Sequence, residues 1–150
     1  DSAQQFSEQL ASIFSRSEFM VQPFMDSVIA EGEFSLFYFN GQYSHAILKT
    51  PKADDFRVQE EHGGRLQAIT PEPALFAQAE KTLSAITKET GEMPLYARVD
   101  FVRHPQNSSA EEFALMEAEL IEPSLYFNMD KQSAQNFANA FVQRMDNCLN

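Results

Sequence analysis

The sequence predicts an α+β fold in which antiparallel strand pairs carry flanking helices. Three observations lead there. Asn40-Gly41 separates two apolar-rich runs, 33–39 and 42–49, and this dipeptide is the strongest short hairpin signal. A second pair of apolar runs, 96–102 and 115–123, flanks the polar stretch 104–112. Around these pairs, apolar residues recur at helical spacing in three segments.

In chain order, a helix is expected over 2–15, where Phe6, Leu10, Ile13 and Phe14 follow Ser2 as N-cap. Residues 19–25 read as a short apolar strand, held to an edge or strand end by Pro23. The Asn40-Gly41 hairpin follows. Residues 50–64 are polar and charged, close on Gly63-Gly64, and read as a mobile loop. A strand at 66–69 leads to Thr70-Pro71, a helix start with proline in the first turn. Leu75, Ala79, Leu83 and Ile86 mark the buried face of that helix, which ends near Gly91. The second hairpin comes next. A last helix over 131–148 sets Phe137, Phe141, Val142 and Met145 on one side. No repeat and no internal boundary is visible, so residues 1–150 read as one domain or part of one.

Composition narrows the classes. A hydrophobic fraction of 43% with 14 Phe suits a globular core. No apolar run approaches the roughly 20 residues of a spanning helix, and the start carries no signal-peptide pattern. Beginning at Asp1-Ser2-Ala3 without Met suggests a piece of a longer protein. The single Cys148 permits no internal disulfide and fits a reducing, cytoplasmic setting. With 11 basic and 22 acidic residues the net charge is −11, with no Lys/Arg cluster. Nucleic acid and anionic membrane are therefore poor partners. A phosphate ligand would need local cations, which makes Lys49, Arg57 and Arg98 notable for their scarcity.

The acidic residues of the second hairpin are the strongest chemical signal. Alternate strand residues share a face, so Arg98 pairs in direction with Asp100, and Glu117 with Glu119. A hairpin centred near Ser108 sets Asp100 opposite Glu117 and Arg98 opposite Glu119. Like charges about 5 Å apart across a sheet destabilise it, and a cation resolves the conflict. All-oxygen ligands suit magnesium with nucleotide phosphates. The competing reading is a solvated sheet face that needs no partner. Leu115 and Ile121, expected at the edges of the charged face, would make it a walled site, with Met116, Ala118 and Leu120 on the apolar side.

Other residues keep two readings. Lys49, on the face of Ile47, is either a strand-end lysine or a phosphate ligand. His45 reads as a packed histidine. The run Asp54-Asp55-Phe56-Arg57 with Gly63-Gly64 is either an ordinary loop or a closing flap whose Arg57 reaches a phosphate or carboxylate. One Cys and three scattered His offer no zinc spacing. Neither a nucleophile elbow nor Gly-x-Gly-x-x-Gly is present.

In order, several segments resemble the C-terminal half of ATP-grasp ligases. They are Val21-Gln22-Pro23-Phe24, Gly32-Glu33-Phe34-Ser35-Leu36, and Tyr43-Ser44-His45-Ala46-Ile47-Leu48-Lys49. Asp55-Phe56-Arg57-Val58-Gln59 with Gly63-Gly64, Ala97-Arg98-Val99-Asp100, and the run from Glu117 to Leu125 complete the set. The resemblance is to the glutathione synthetase and ribosomal-protein glutamate ligase branch, nearest its cycloserine-ligase-like members. It implies ATP and Mg2+ (or Mn2+) as cofactors, with Asp100, Glu117 and Glu119 as metal ligands. Glu119 stands where many relatives carry Asn. The resemblance also implies that Arg98 stabilises the transferring phosphoryl group and that Lys49 lies near the nucleotide phosphates. Arg57 would contact the substrate carboxylate or acyl-phosphate, and Met20, Val21 and Gln22 would form the adenine hinge. Val58-Gln59 replaces a common Ser-Asn, so the acceptor does not carry over.

Nothing before Phe19 resembles the first nucleotide-binding subdomain or the substrate domain of such ligases. The expectation is a partial domain that binds ATP weakly and turns nothing over alone. Its parent would join small carboxylate and amine substrates, and an uncovered apolar edge would favour homo-oligomers. The rivals are a non-catalytic nucleotide-binding or regulatory module and a metal-dependent phosphohydrolase.

Overall fold

A computed structural model describes residues 6–52, 57–58, 63–104 and 112–149. Five strands form one sheet: β1 (Glu33–Phe39), β2 (Gln42–Thr50), β3 (Arg65–Ile69), β4 (Tyr96–Arg103) and β5 (Phe113–Glu119). Their spatial order is β3-β2-β1-β4-β5, and every neighbouring pair is antiparallel. The helices are α1 (Ser7–Phe14), the single turn α2 (Ser27–Ala30), α3 (Pro73–Thr90) and α4 (Ser133–Leu149), with a 3-10 turn at Phe127–Met129. The α+β expectation holds.

Local chemistry explains the main boundaries. Asn40 and Gly41 both take positive φ, 49° and 76°, the combination a tight two-residue turn needs to match strand twist. α3 opens at Pro73, whose missing N–H costs nothing in the first turn, and closes on Gly91 in the left-handed conformation. At the entry to β1, Gly32 has φ 110°, and a Cβ there would lie 2.6 Å from the Lys49 carbonyl oxygen. Only glycine permits that approach, which brings the start of β1 tight against the end of β2.

The two sheet faces have different fates. One packs Phe34, Leu36, Tyr38, Ala46, Val99 and Phe101 beneath Leu75, Ala79 and Leu83 of α3. On the other face, Phe39 meets Phe127 and Phe137 of the C-terminal segment, ring to ring at 6.1 and 5.3 Å. Beside them Phe37 stacks flat on His45, with centroids 4.2 Å apart. The remaining part of this face carries a charged row and, beside it, an apolar patch in which Val102 packs with Val28 and Val58. Farther along α4, Phe141, Val142 and Met145 are about half exposed.

His45 is the packed histidine expected. Its Nε2 donates to the Leu125 carbonyl at 3.1 Å, leaving Nδ1 to accept from the Ser44 hydroxyl. Burial pushes its pKa below the ordinary 6.5, against a smaller opposing pull from the Leu125 carbonyl and Asp130. Above that value both folded and unfolded chains hold a neutral ring. As pH falls through it, the unfolded chain takes a proton that the folded chain resists, so stability is lost on acidification. The expected result is a loss of urea resistance between about pH 7.5 and about pH 5.5 that is smaller in His45→Gln than in wild type. An equal loss in both proteins would mean that His45 does not contribute to it.

Several expectations need correction. Residues 19–25 form no strand: Met20 is 91% and Val21 81% exposed, and the segment lies off the sheet. An apolar run with a central proline becomes a strand only where a partner completes its ladder. α2 was not anticipated, since four residues carry no readable period. The third helix starts at Pro73 rather than at Thr70-Pro71, and the last at Ser133 rather than 131. β5 ends at Glu119, so 120–123 lie beyond it.

The register shift between Asp100 and Phe101 changes the side-chain assignment on β5. It sets Leu115 opposite Phe101, on the α3 side, while Met116 packs with Val102 on the charged side. Leu115 therefore forms no wall of the charged face, and neither does Ile121, which lies past the end of β5 and is 81% exposed. One extra residue in a strand flips the parity of everything beyond it. Of the loop 50–64, residues 53–56 and 59–62 lie outside the described residues, as do residues 105–111.

Candidate functional site

The sheet register assembles one polar row across four strands. Glu33 of β1 lies opposite Lys49 of β2, and Ser35 opposite Asp100 of β4. Asp100 in turn lies opposite Glu117 of β5, and Arg98 opposite Glu119, the pairing that the hairpin reading expects. Directly opposed residues share a face, so all these side chains converge on the side away from α3.

The row is a continuous ion network. Lys49 Nζ lies 2.5 Å from Glu33 Oε1 and 3.0 Å from Asp100 Oδ2. Arg98 Nε donates to both Asp100 oxygens, at 3.2 and 3.1 Å. A terminal nitrogen of Arg98 bonds Glu119 and lies 3.6 Å from Glu117 Oε2. Asp100, Lys49 and Arg98 are 1%, 5% and 8% exposed, whereas the Glu117 side chain is 57% exposed. The network thus runs from a buried floor to an open rim.

Electrostatics follow from that gradient. Burial opposes the charged ammonium of Lys49, but Asp100 and Glu33 outweigh it and hold its pKa above the usual lysine range. Arg98 is likewise held up, by Asp100 first and then by Glu119 and Glu117, against its own desolvation. Burial raises Glu33 despite Lys49, and burial together with the nearby Glu119 raises Glu117. Four acids face two cations, so the fully ionised network carries two negative charges in excess.

The donor set suits a hard divalent ion. Asp100, Glu117 and Glu119 can each offer one oxygen, all within 4.8 Å of one another. Carboxylate oxygens with open coordination positions are what magnesium takes beside nucleotide phosphates. At the foot of the cluster, Ser35 is fully buried and its hydroxyl has no hydrogen-bond partner. A spare buried donor opposite Asp100 is unusual in a purely structural ion pair.

The other candidates lie around this row. Gln22 reaches Met116 Sδ with its amide nitrogen at 3.2 Å, next in sequence to Glu117, while Met20 and Val21 stand exposed. Val58 is buried with Val28 and Val102, so this residue of the loop packs on the same sheet face as the charged row. Its neighbour Arg57 is exposed. Asp54, Asp55, Phe56 and Gln59 lie outside the described residues. Glu33, the closest partner of Lys49, is not among the site residues anticipated from sequence.

No protein-family model matches the chain. Over 132 residues it is 34% identical to the cycloserine biosynthesis protein DcsG of Streptomyces lavendulae, covering 86% of this chain and 43% of that protein. The crystal structure of D-cycloserine synthetase DcsG aligns with a TM-score of 0.69 at 31% identity, over 82% of this chain and 41% of that one. A D-alanine–D-alanine ligase from Bacillus anthracis complexed with ATP aligns over 93% of this chain and 45% of its own, with a TM-score of 0.54. The chain is the C-terminal portion of an ATP-grasp fold. The Bacillus anthracis ligase, at 16% identity, supports the fold alone. The ATP-grasp chain described here spans less than half the length of each of these relatives. Among its described residues, no helix is long and apolar enough to cross a membrane.

Proposed function

We propose that this chain supplies the C-terminal half of the nucleotide site in a longer, cytoplasmic ATP- and magnesium-dependent carboxylate–amine ligase. The observation that carries the reading is the Glu33–Lys49–Asp100–Arg98–Glu117–Glu119 network, buried at one end and open at the other, on a fold shared with ligases. The missing substrate domain and first nucleotide subdomain would belong to the rest of that protein.

Asp100, Glu117 and Glu119 would hold magnesium, or manganese in its place. Bound there, the metal would neutralise and orient phosphate oxygens. Lys49 offers a buried, firmly protonated ammonium to the nucleotide phosphates. Arg98 presents a guanidinium to the phosphoryl group in transfer, where charge develops on its oxygens. Met20, Val21 and Gln22 would line the adenine, with the exposed apolar surface of the first two given over to it. Arg57 would meet the substrate carboxylate or its acyl-phosphate, and closure of the flap would exclude water. A carboxylate is a poor electrophile until phosphorylation gives it a leaving group, after which an amine can attack.

The test is ADP formation by the longer protein with Mg-ATP across a panel of amino acids and small carboxylic acids. Turnover that requires both an acid and an acceptor supports the ligase. Phosphate release without any acceptor would replace it with a phosphohydrolase. The 150-residue chain alone is expected to bind ATP weakly and to form no ADP.

A further inference from the structure

The guanidinium of Arg98 touches every carboxylate that the proposed metal would use. It bonds both oxygens of Asp100, bonds Glu119, and lies 3.6 Å from Glu117. Those are the three residues whose oxygens converge within 4.8 Å. One cation therefore already sits among the ligands, and its side chain is only 9% exposed. A divalent ion and this guanidinium compete for the same lone pairs and repel one another.

We propose that Arg98 governs metal entry, so that the acidic cluster accepts a divalent ion well only when polyphosphate draws the guanidinium away. This inference rests on the ligase-site reading above and adds to it an order of assembly. Phosphoryl oxygens offer Arg98 the planar, bidentate pairing that carboxylates give it, so a nucleotide is a substitute partner. When Arg98 turns to it, the carboxylates are released together. Asp100 then keeps its bond from Lys49 and has the buried, unpartnered Ser35 hydroxyl directly opposite as a second donor. Lys49 retains Glu33 throughout. The floor of the site stays satisfied in both arrangements, and only the arginine changes partner. Free metal and nucleotide thus bind with positive coupling, and free metal alone binds poorly.

The test is Mn2+ binding to the 150-residue chain without nucleotide, read from the free-ion signal in electron paramagnetic resonance. Wild type, Arg98→Gln and Arg98→Lys are compared, with folding checked by circular dichroism. Arg98→Gln is expected to bind Mn2+ at least about tenfold more tightly than wild type, with Arg98→Lys between them because an ammonium reaches fewer of the carboxylates. Equal or weaker binding by folded Arg98→Gln overturns the proposal. If that variant does not fold, Arg98→Lys decides in the same way: tighter than wild type supports it, equal or weaker overturns it. Absence of Mn2+ binding in all three proteins, with and without ADP, would instead overturn the metal site beneath it.

Discussion

In the longer ligase proposed above, Glu117→Gln is expected to lower ADP formation by about 100-fold or more at fixed magnesium, while leaving the fold intact. The side chain is 57% exposed, and its 3.6 Å approach to Arg98 is too long for a strong bond, so its removal costs little stability. The change keeps the size of the side chain and one oxygen but removes the negative charge at the open rim of the cluster. A metal held there by charge binds more weakly, and raising magnesium should restore part of the rate. The decisive comparison is the rate at low and high magnesium beside the urea midpoint. Full activity at low magnesium would remove Glu117 from the metal site. A large fall in midpoint would mean that the residue is structural.

The opposite balance is expected at Asp100. Asp100→Ala should destabilise the chain by about 3–5 kcal/mol, a large share of the roughly 5–15 kcal/mol that holds a domain together. Asp100 is 1% exposed and is the one acid bonded to both buried cations of the row. Without it, Lys49 relies on Glu33 and Arg98 on the glutamates of β5, with a void between two positive charges. Asp100→Asn keeps the volume and an oxygen acceptor and should cost distinctly less. Urea unfolding of the two variants checks this. A loss below about 1 kcal/mol in Asp100→Ala would show that the network is loosely held and open to water.

Much of this arrangement is legible in the sequence, and the parts that are not share a physical cause. The β4–β5 pairing of Asp100 with Glu117 and Arg98 with Glu119 follows from the symmetry of one hairpin about its polar loop. The Glu33–Lys49 contact could not be read in the same way. Counting back from Asn40-Gly41 would set Glu33 opposite Leu48, but the register shifts between Phe37 and Tyr38 and brings Lys49 across instead. That shift turns Lys49 onto the Asp100 face and joins the two hairpins into one network. The shift on β5 misleads in the same way for Leu115 and Met116. Bulges leave no reliable mark in composition, because the extra residue is defined by its partner strand.

By itself, the sequence determined the two hairpins, the long helices and the acids of β4 and β5, because period, turn dipeptides and local symmetry are properties of neighbouring residues. The tertiary structure alone decided that β1 lies between β2 and β4. That placement brings Lys49 and Glu33 to Asp100 and leaves 19–25 off the sheet. These features depend on pairing between segments about 50 residues or more apart in the chain, where hydrogen-bond ladders and burial, not local preference, set the outcome.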